Sequence, residues 1–361
     1  MAKHFRPLEI VDIRNETADC ISVSFQIPPE WKDEFLFKAG QNITLRTQIE
    51  GEEVRRSYSI CSSPYENELR VAIKRQELGR FSSYAHQHFK AAQMLEVMAP
   101  TGNFSLNLAE KNKKHYVAFA AGSGITPVIS LLKTVLKEEP RSRFTLIYGN
   151  KTRHSVIFRE ELLALKNEFP ERFQLLMLFS QEKMDAAVFE GRISEEKCEM
   201  IFKSILPLDD DQEYLLCGPV EMIFSIKNWL ENHRINEKRI HYELFSDPGE
   251  RVVSAKKIVS EKIEPTGKIS QVTIRLDGAS TEFLVPFEGP TILETAIKAG
   301  ADLPFACRAG VCATCRAKLV NGSVHLDQNY SLAEEELEQG FILACQAHPA
   351  SDALTIDFDI R

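Results

Sequence analysis

Four cysteines near the C-terminus constrain this chain more than any other feature. Cys307, Cys312 and Cys315 follow one another as C-x4-C-x2-C, and Cys345 comes after a gap of 29 residues. Structural zinc is usually held by two short C-x-x-C-like knuckles. Here three thiols share one loop and the fourth stands alone, which is the spacing of a [2Fe–2S] cluster. Two irons bridged by two sulfides take four thiolates, and the small residues Ala309, Gly310, Ala313 and Thr314 let backbone N–H groups approach the sulfurs. The alternatives are a zinc site or a set of free buried thiols. A cluster of this kind sits near about −400 mV, so the segment reads as a low-potential one-electron carrier.

The other cysteines, Cys20, Cys61, Cys198 and Cys217, are scattered, and the first residues carry no apolar stretch of a secretory signal. Reduced thiols in the cytoplasm are therefore expected. A length of 361 residues suggests two or three domains. The longest apolar runs, such as 116–121 and 175–179, fall far short of the ~20 residues of a membrane span. Net charge is −8, which argues against a nucleic-acid partner. From Gly267 onward there are 7 basic and 13 acidic side chains, so this part holds −6 of the −8. Such asymmetry suggests a separate module with its own partner.

The rhythm of the chain agrees. Residues 1–110 contain short β-like runs (21–27, 42–47, 57–61, 69–74, 94–99) punctuated by turn residues, with one helix expected at 81–89; a small barrel or sandwich is predicted. Residues 111–246 alternate buried strands (116–121, 144–148, 173–179, 214–217) with amphipathic helices (127–136, 158–168, 220–232), the signature of a parallel sheet with crossover helices. Residues 247–267 read as a linker. Residues 268–361 form the cysteine module, with a hairpin about Asp277-Gly278 and a helix at 291–299 opened by a Thr291/Glu294 capping box.

Two further motifs carry chemistry. Gly122-Ser123-Gly124-Ile125-Thr126-Pro127 follows a strand and opens a helix, where glycines admit a pyrophosphate to backbone N–H groups. Taken alone, an ordinary strand–helix turn explains it equally well. Cys217-Gly218-Pro219 ends a later strand of the same segment and borders the usual crevice of a parallel sheet. Arg56-Ser57-Tyr58-Ser59, with Ser62, offers a planar phosphate fork, an aromatic face and a hydroxyl, although taken alone such a run is more often just an exposed strand. Gly79-Arg80-Phe81-Ser82 opens a helix and is another seat for phosphate.

The whole set, in this order, resembles the ferredoxin-NADP(+) reductase superfamily with a C-terminal plant-type ferredoxin domain. The resemblance implies a multidomain fold: an antiparallel β-barrel flavin domain, an α/β nucleotide domain with a parallel sheet, and an α+β (β-grasp) ferredoxin domain. It implies FAD, NADPH or NADH, and a [2Fe–2S] cluster on Cys307, Cys312, Cys315 and Cys345. Arg56 is expected on the flavin pyrophosphate, Tyr58 on the isoalloxazine and Ser59 near its N5, with Ser62 completing that signature. The strand of Ile73 would line the flavin tail, and Gly79 with Ser82 would form a second phosphate loop, favouring FAD over FMN. Gly122, Gly124, Thr126 and Pro127 would hold the pyridine nucleotide. Cys217, Gly218 and Pro219 would flank the nicotinamide, and Phe245 would cover the other flavin face.

The layout resembles the reductases of bacterial phenylacetyl-CoA epoxidases and those of steroid and aromatic-ring oxygenases. An oxygenase or hydroxylase component is thus the expected electron acceptor; a redox-sensing module is the alternative from another class. Lys151 and Arg153 beyond Tyr148-Gly149-Asn150 lean towards NADPH, while Ser180-Gln181-Glu182 brings no basic residue to the next strand.

Overall fold

The computed structural model describes residues 5–209, 211–245 and 267–360; the expected linker lies, apart from Gly267, outside them. In the N-terminal domain β1 (Phe5–Thr17), β2 (Cys20–Gln26), β3 (Asn42–Ile49), β4 (Glu52–Ser59), β5 (Leu69–Lys74) and β6 (Met94–Thr101) pair antiparallel in the order β4-β3-β6-β1-β2-β5. An antiparallel bridge between Ile60 and Val71 joins the two edge strands and closes the barrel. Leu8, Ile10, Val23, Ile43, Leu45, Val71, Ile73 and Val97 fill it, each fully buried, and each such side chain contributes about 1.5–3 kcal/mol. Helix α1 (Arg80–His88) adds Phe81 and Ala85 to that core. The sequence reading did not identify β1: Pro7 and the charged residues around it mask a strand that pairs with both β2 and β6.

The second domain is a parallel sheet of β7 (His115–Ala121), β8 (Arg143–Asn150), β9 (Phe173–Phe179), β10 (Gln212–Cys217) and β11 (Ile240–Glu243), in the order β11-β10-β7-β8-β9. Its helices are α2 (Ile125–Glu138), α3 (Arg159–Glu168), α4 (Glu195–Ser204) and α5 (Val220–Asn232). Apolar clusters cover both faces, which is why its strands read as nearly unbroken hydrophobic runs. The strand order reverses between β7 and β10, so the ligand crevice lies outside their carboxyl ends. Helix α4 escaped the sequence reading; only Cys198, Ile201 and Phe202 are buried on it.

The third domain contains β12 (Ile269–Leu276), β13 (Ala279–Pro286), α6 (Ile292–Lys298), β14 (Arg316–Asn321), β15 (Val324–Leu326), α7 (Glu334–Glu338), β16 (Phe341–Leu343), β17 (Ala347–Pro349) and β18 (Ala353–Asp357). A mixed sheet, β13-β12-β18-β14-β16, grips α6 through Ile292, Leu293 and Ala296. Asp277 and Gly278 both have positive φ (54° and 73°), as a two-residue type I′ hairpin turn requires. Among the described residues no helix is long and apolar enough to cross a membrane.

Candidate functional site

Strand β4 carries the flavin run. Arg56 is exposed and donates to the Arg55 carbonyl oxygen (2.7 Å), so its guanidinium lies open at the surface. Tyr58 is half-buried, its ring centroid 5.8 Å from that of Phe81. Ser59, 5% exposed, donates to Glu243 Oε2 at 3.0 Å. Ser62 is turned inward: its hydroxyl donates to the Glu68 carbonyl oxygen (2.7 Å) and accepts from the Arg70 N–H (3.1 Å), which shapes the turn into β5. Ile73 is buried, and its carbonyl oxygen is 2.9 Å from His86 Nε2. Gly79 precedes α1, and no side chain caps that helix, so its first N–H groups are open. A Cβ on Gly79 would stand 2.6 Å from Ser82 Oγ. The Ser82 hydroxyl in turn accepts from the Gln76 N–H at 3.0 Å, closing the loop. An uncapped helix start with a glycine before it and an open arginine nearby fits a dinucleotide flavin's phosphates.

The nucleotide crevice is built as tightly. Gly122 has φ 53°, and Tyr148 donates its hydroxyl to the Gly122 carbonyl oxygen (2.9 Å). A Cβ on Gly124 would run into the Cys217 carbonyl oxygen, so only glycine lets α2 start this close to β10. Thr126 donates to the Ser123 carbonyl oxygen (3.0 Å), and Pro127 is buried in the first turn of α2. No side chain caps α2. A Cβ on Gly218 would meet Met222 Cε at 2.7 Å, and Pro219 opens α5. Cys217 is fully buried, and burial raises its thiol well above the ordinary value. What Cys217 presents to the crevice is therefore backbone. Phe245, 43% exposed, is the last described residue before the linker.

Of the two cations expected beyond β8, Lys151 and Arg153, the second is already paired. Arg153 Nε is 2.9 Å from Glu182 Oε2, and its backbone N–H donates to Oε1 at 2.8 Å. These bonds hold the Glu182 carboxyl below the usual carboxylate range. The lean towards NADPH thus loses one of its two cations to a neighbouring acid.

The four cysteines converge. Arg308, Gly310 and Ala313 take positive φ and curl the loop, and the Ala309 N–H donates to Cys307 Sγ at 3.3 Å. The thiols of Cys307 and Cys312, of Cys307 and Cys345, and of Cys315 and Cys345 are in contact. Contact with Cys307, together with burial, holds the Cys312 thiol well above its ordinary value. Four crowded thiolates need a compensating positive centre. These contacts link the sulfurs in one run, Cys312–Cys307–Cys345–Cys315, a compact set of four thiol donors that fits a [2Fe–2S] cluster.

The three sites adjoin. Thr314, between two of the cysteines, has its Oγ1 3.5 Å from that of Thr44, which pairs with Ser57 of the flavin run. Val311 packs into the nucleotide-domain cluster that holds Met222 and Leu244. Sequence reasoning gave Glu243, two residues before Phe245, no role of its own. It sits beside Cys217 in the β10–β11 register, and burial pushes its carboxyl up to about 8, aided by nearby Cys312 and opposed by the Ser59 hydrogen bond.

Family models for an oxidoreductase FAD-binding domain, an oxidoreductase NAD-binding domain and a 2Fe-2S iron-sulfur cluster binding domain match residues 7–106, 119–228 and 274–350. The chain is 40% identical to one of the subunits of 1,2-phenylacetyl-CoA epoxidase of Escherichia coli (strain K12), over 99% of this chain and 98% of that protein. It is 30% identical to the ferredoxin reductase component of 3-ketosteroid-9-alpha-monooxygenase of Rhodococcus rhodochrous, over 97% and 96%. Phthalate dioxygenase reductase has a similar fold: TM-score 0.58 and 22% identity, over 98% of both chains.

Proposed function

The chain belongs to the ferredoxin-NADP(+) reductase superfamily, in the branch with a C-terminal [2Fe–2S] ferredoxin domain, and from that premise we propose that it is the reductase component of a multicomponent oxygenase. The acceptor is an oxygenase component, most specifically of the phenylacetyl-CoA epoxidase type used in phenylacetate breakdown. Identity of 40% across nearly the full length of both chains supports that choice. Thiols that are to hold iron must stay reduced, which favours a cytoplasmic setting.

The bound groups supply the electron chemistry: hydride from NAD(P)H, its division into single electrons by FAD, and one-electron carriage by the cluster. The protein contributes geometry. The Gly122–Gly124 turn and the open N-terminus of α2 receive the nucleotide pyrophosphate, while Arg56 and the start of α1 hold the flavin phosphates. Tyr58 offers its face to the flavin. Glu243 fixes the Ser59 hydroxyl, and Phe245 would cover the other face of the flavin. The four cysteines hold the iron.

One observation carries the reading: Thr314 of the cysteine loop touches Thr44, beside the flavin run. The test is a coupled assay. Purified holoprotein is mixed with NADPH or NADH and an epoxidase oxygenase component acting on phenylacetyl-CoA, then with a steroid hydroxylase oxygenase component. Product formation with the first alone supports the specific assignment; product with the second alone moves it to the steroid branch. Cys312→Ser should abolish cytochrome c reduction while ferricyanide reduction at the flavin survives. Unimpaired cytochrome c reduction would remove the cluster from the path.

A further inference from the structure

Strand β4 carries two successive arginines with different fates. Arg56 is exposed and belongs to the flavin run, whereas Arg55 is 7% exposed and leaves its own domain. Its Nη1 donates to the Leu303 carbonyl oxygen at 3.2 Å, and its Nη2 reaches Asp302 Oδ1 at 3.0 Å. Its guanidinium lies 4.2 Å from the Phe305 ring centroid. Arg308 stacks on the same ring at 4.6 Å, so Phe305 is gripped by one cation from each domain. At its base Arg55 Nε bonds Glu53 Oε1 at 2.7 Å. Nε, Nη1 and Nη2 are therefore all engaged.

We propose that Arg55 is the pin that seats the cysteine loop on the flavin strand, a positioning residue for electron transfer from flavin to cluster. The pin joins two short levers. On one side Arg55 is followed directly by Arg56-Ser57-Tyr58-Ser59. On the other, Phe305 stands two residues before Cys307. Thr44 and Thr314 set a second point of contact, and Asn103 a third, donating to the Ser331 carbonyl oxygen (3.0 Å) and Glu336 Oε2 (2.6 Å).

The contacts are unequal in weight. Asp302 has a side chain 76% exposed, and an ion pair that open is worth little. The Leu303 carbonyl and the Phe305 ring are buried, so the charge-assisted bond and the cation–π contact hold the pin. A lysine keeps the charge but lacks the planar fork that makes both contacts at once.

The inference rests on the electron order given above. Both electrons of the hydride leave the flavin singly through the cluster to the outside acceptor, and its proton goes to solvent. The experiment uses full-length holoprotein with Arg55→Gln and Phe305→Leu, variants on opposite sides of the contact, and Arg55→Lys. Rapid mixing with NADPH or NADH follows flavin and cluster bleaching separately, and small-angle scattering reports compactness. Flavin bleaching is expected at the wild-type rate, with cluster bleaching slower by about tenfold or more, as for a misplaced reacting pair, and a less compact particle. Arg55→Lys should recover only part of the rate. Wild-type cluster bleaching in either fully loaded variant, Arg55→Gln or Phe305→Leu, would overturn the pin; should Arg55→Gln lose FAD, Phe305→Leu decides. A wild-type protein whose cluster does not bleach at all would overturn the electron order and the pin with it.

Discussion

Single side chains here gain their meaning from one neighbour each. Glu182 takes the Arg153 guanidinium that a 2′-phosphate would need. Glu182→Gln should free it and raise the NADPH-over-NADH ratio of kcat/KM by about tenfold, as one added charged hydrogen bond to the 2′-phosphate does. An unchanged ratio would show that this corner does not read the 2′ position. His115 is a pH-dependent case. Burial, with Arg143 close by, lowers its pKa from 6.5 to about 4, against the pull of Asp209, and its Nε2 meets Thr145 Oγ1 at 2.9 Å. The folded chain resists the proton that the unfolded chain accepts. This contribution is fully present above about pH 6.5 and is lost as pH falls through about 4. It amounts to roughly 1–2 kcal/mol once partial exposure is allowed for. His115→Gln should flatten the fall in unfolding midpoint between those pH values; an equally steep fall would clear His115. The Arg153–Glu182 pairing was not legible in the sequence, because the two residues lie just beyond different strands, β8 and β9, as Ser59 and Glu243 end two others, β4 and β11.

Elements were more legible. The span 220–232 was read to the residue as α5, and Thr291 and Glu294 do form the capping box of α6. Periodicity and caps are local, so one stretch of chain suffices to read them. Strand β1 and helix α4 were missed because their signals are weak alone and tertiary burial decides them. The start of α2 shows both kinds of information at once. Its glycines were visible in the sequence, but the reason for Gly124 was not: the obstructing carbonyl belongs to Cys217, at the end of another strand. Gly124→Ala should cost about 1–3 kcal/mol of stability, as overpacking does, and raise KM for the nucleotide. A thermal melt and a nucleotide titration check both; wild-type values in each would mean that the crevice relaxes freely.

At the scale of the whole molecule, charge and contact divide the labour. The C-terminal module holds most of the excess negative charge, and complementary charge mainly speeds encounter. Reduction of a cationic acceptor such as cytochrome c should therefore slow as ionic strength rises and the Debye length shrinks below about 8 Å, while ferricyanide reduction at the flavin does not slow in parallel. Salt-independent cytochrome c reduction would remove this surface from the encounter. The three-module plan, the cysteine set and the glycine loops were all decided by the order of residues, since each depends on spacing within one segment. Tertiary structure alone decided that Arg55 leaves its strand for Phe305, that Ser59 answers to Glu243 and that Thr314 rests on Thr44. Such contacts join residues 184–270 positions apart, and no local pattern encodes which buried polar group will satisfy another until the chain has folded around both.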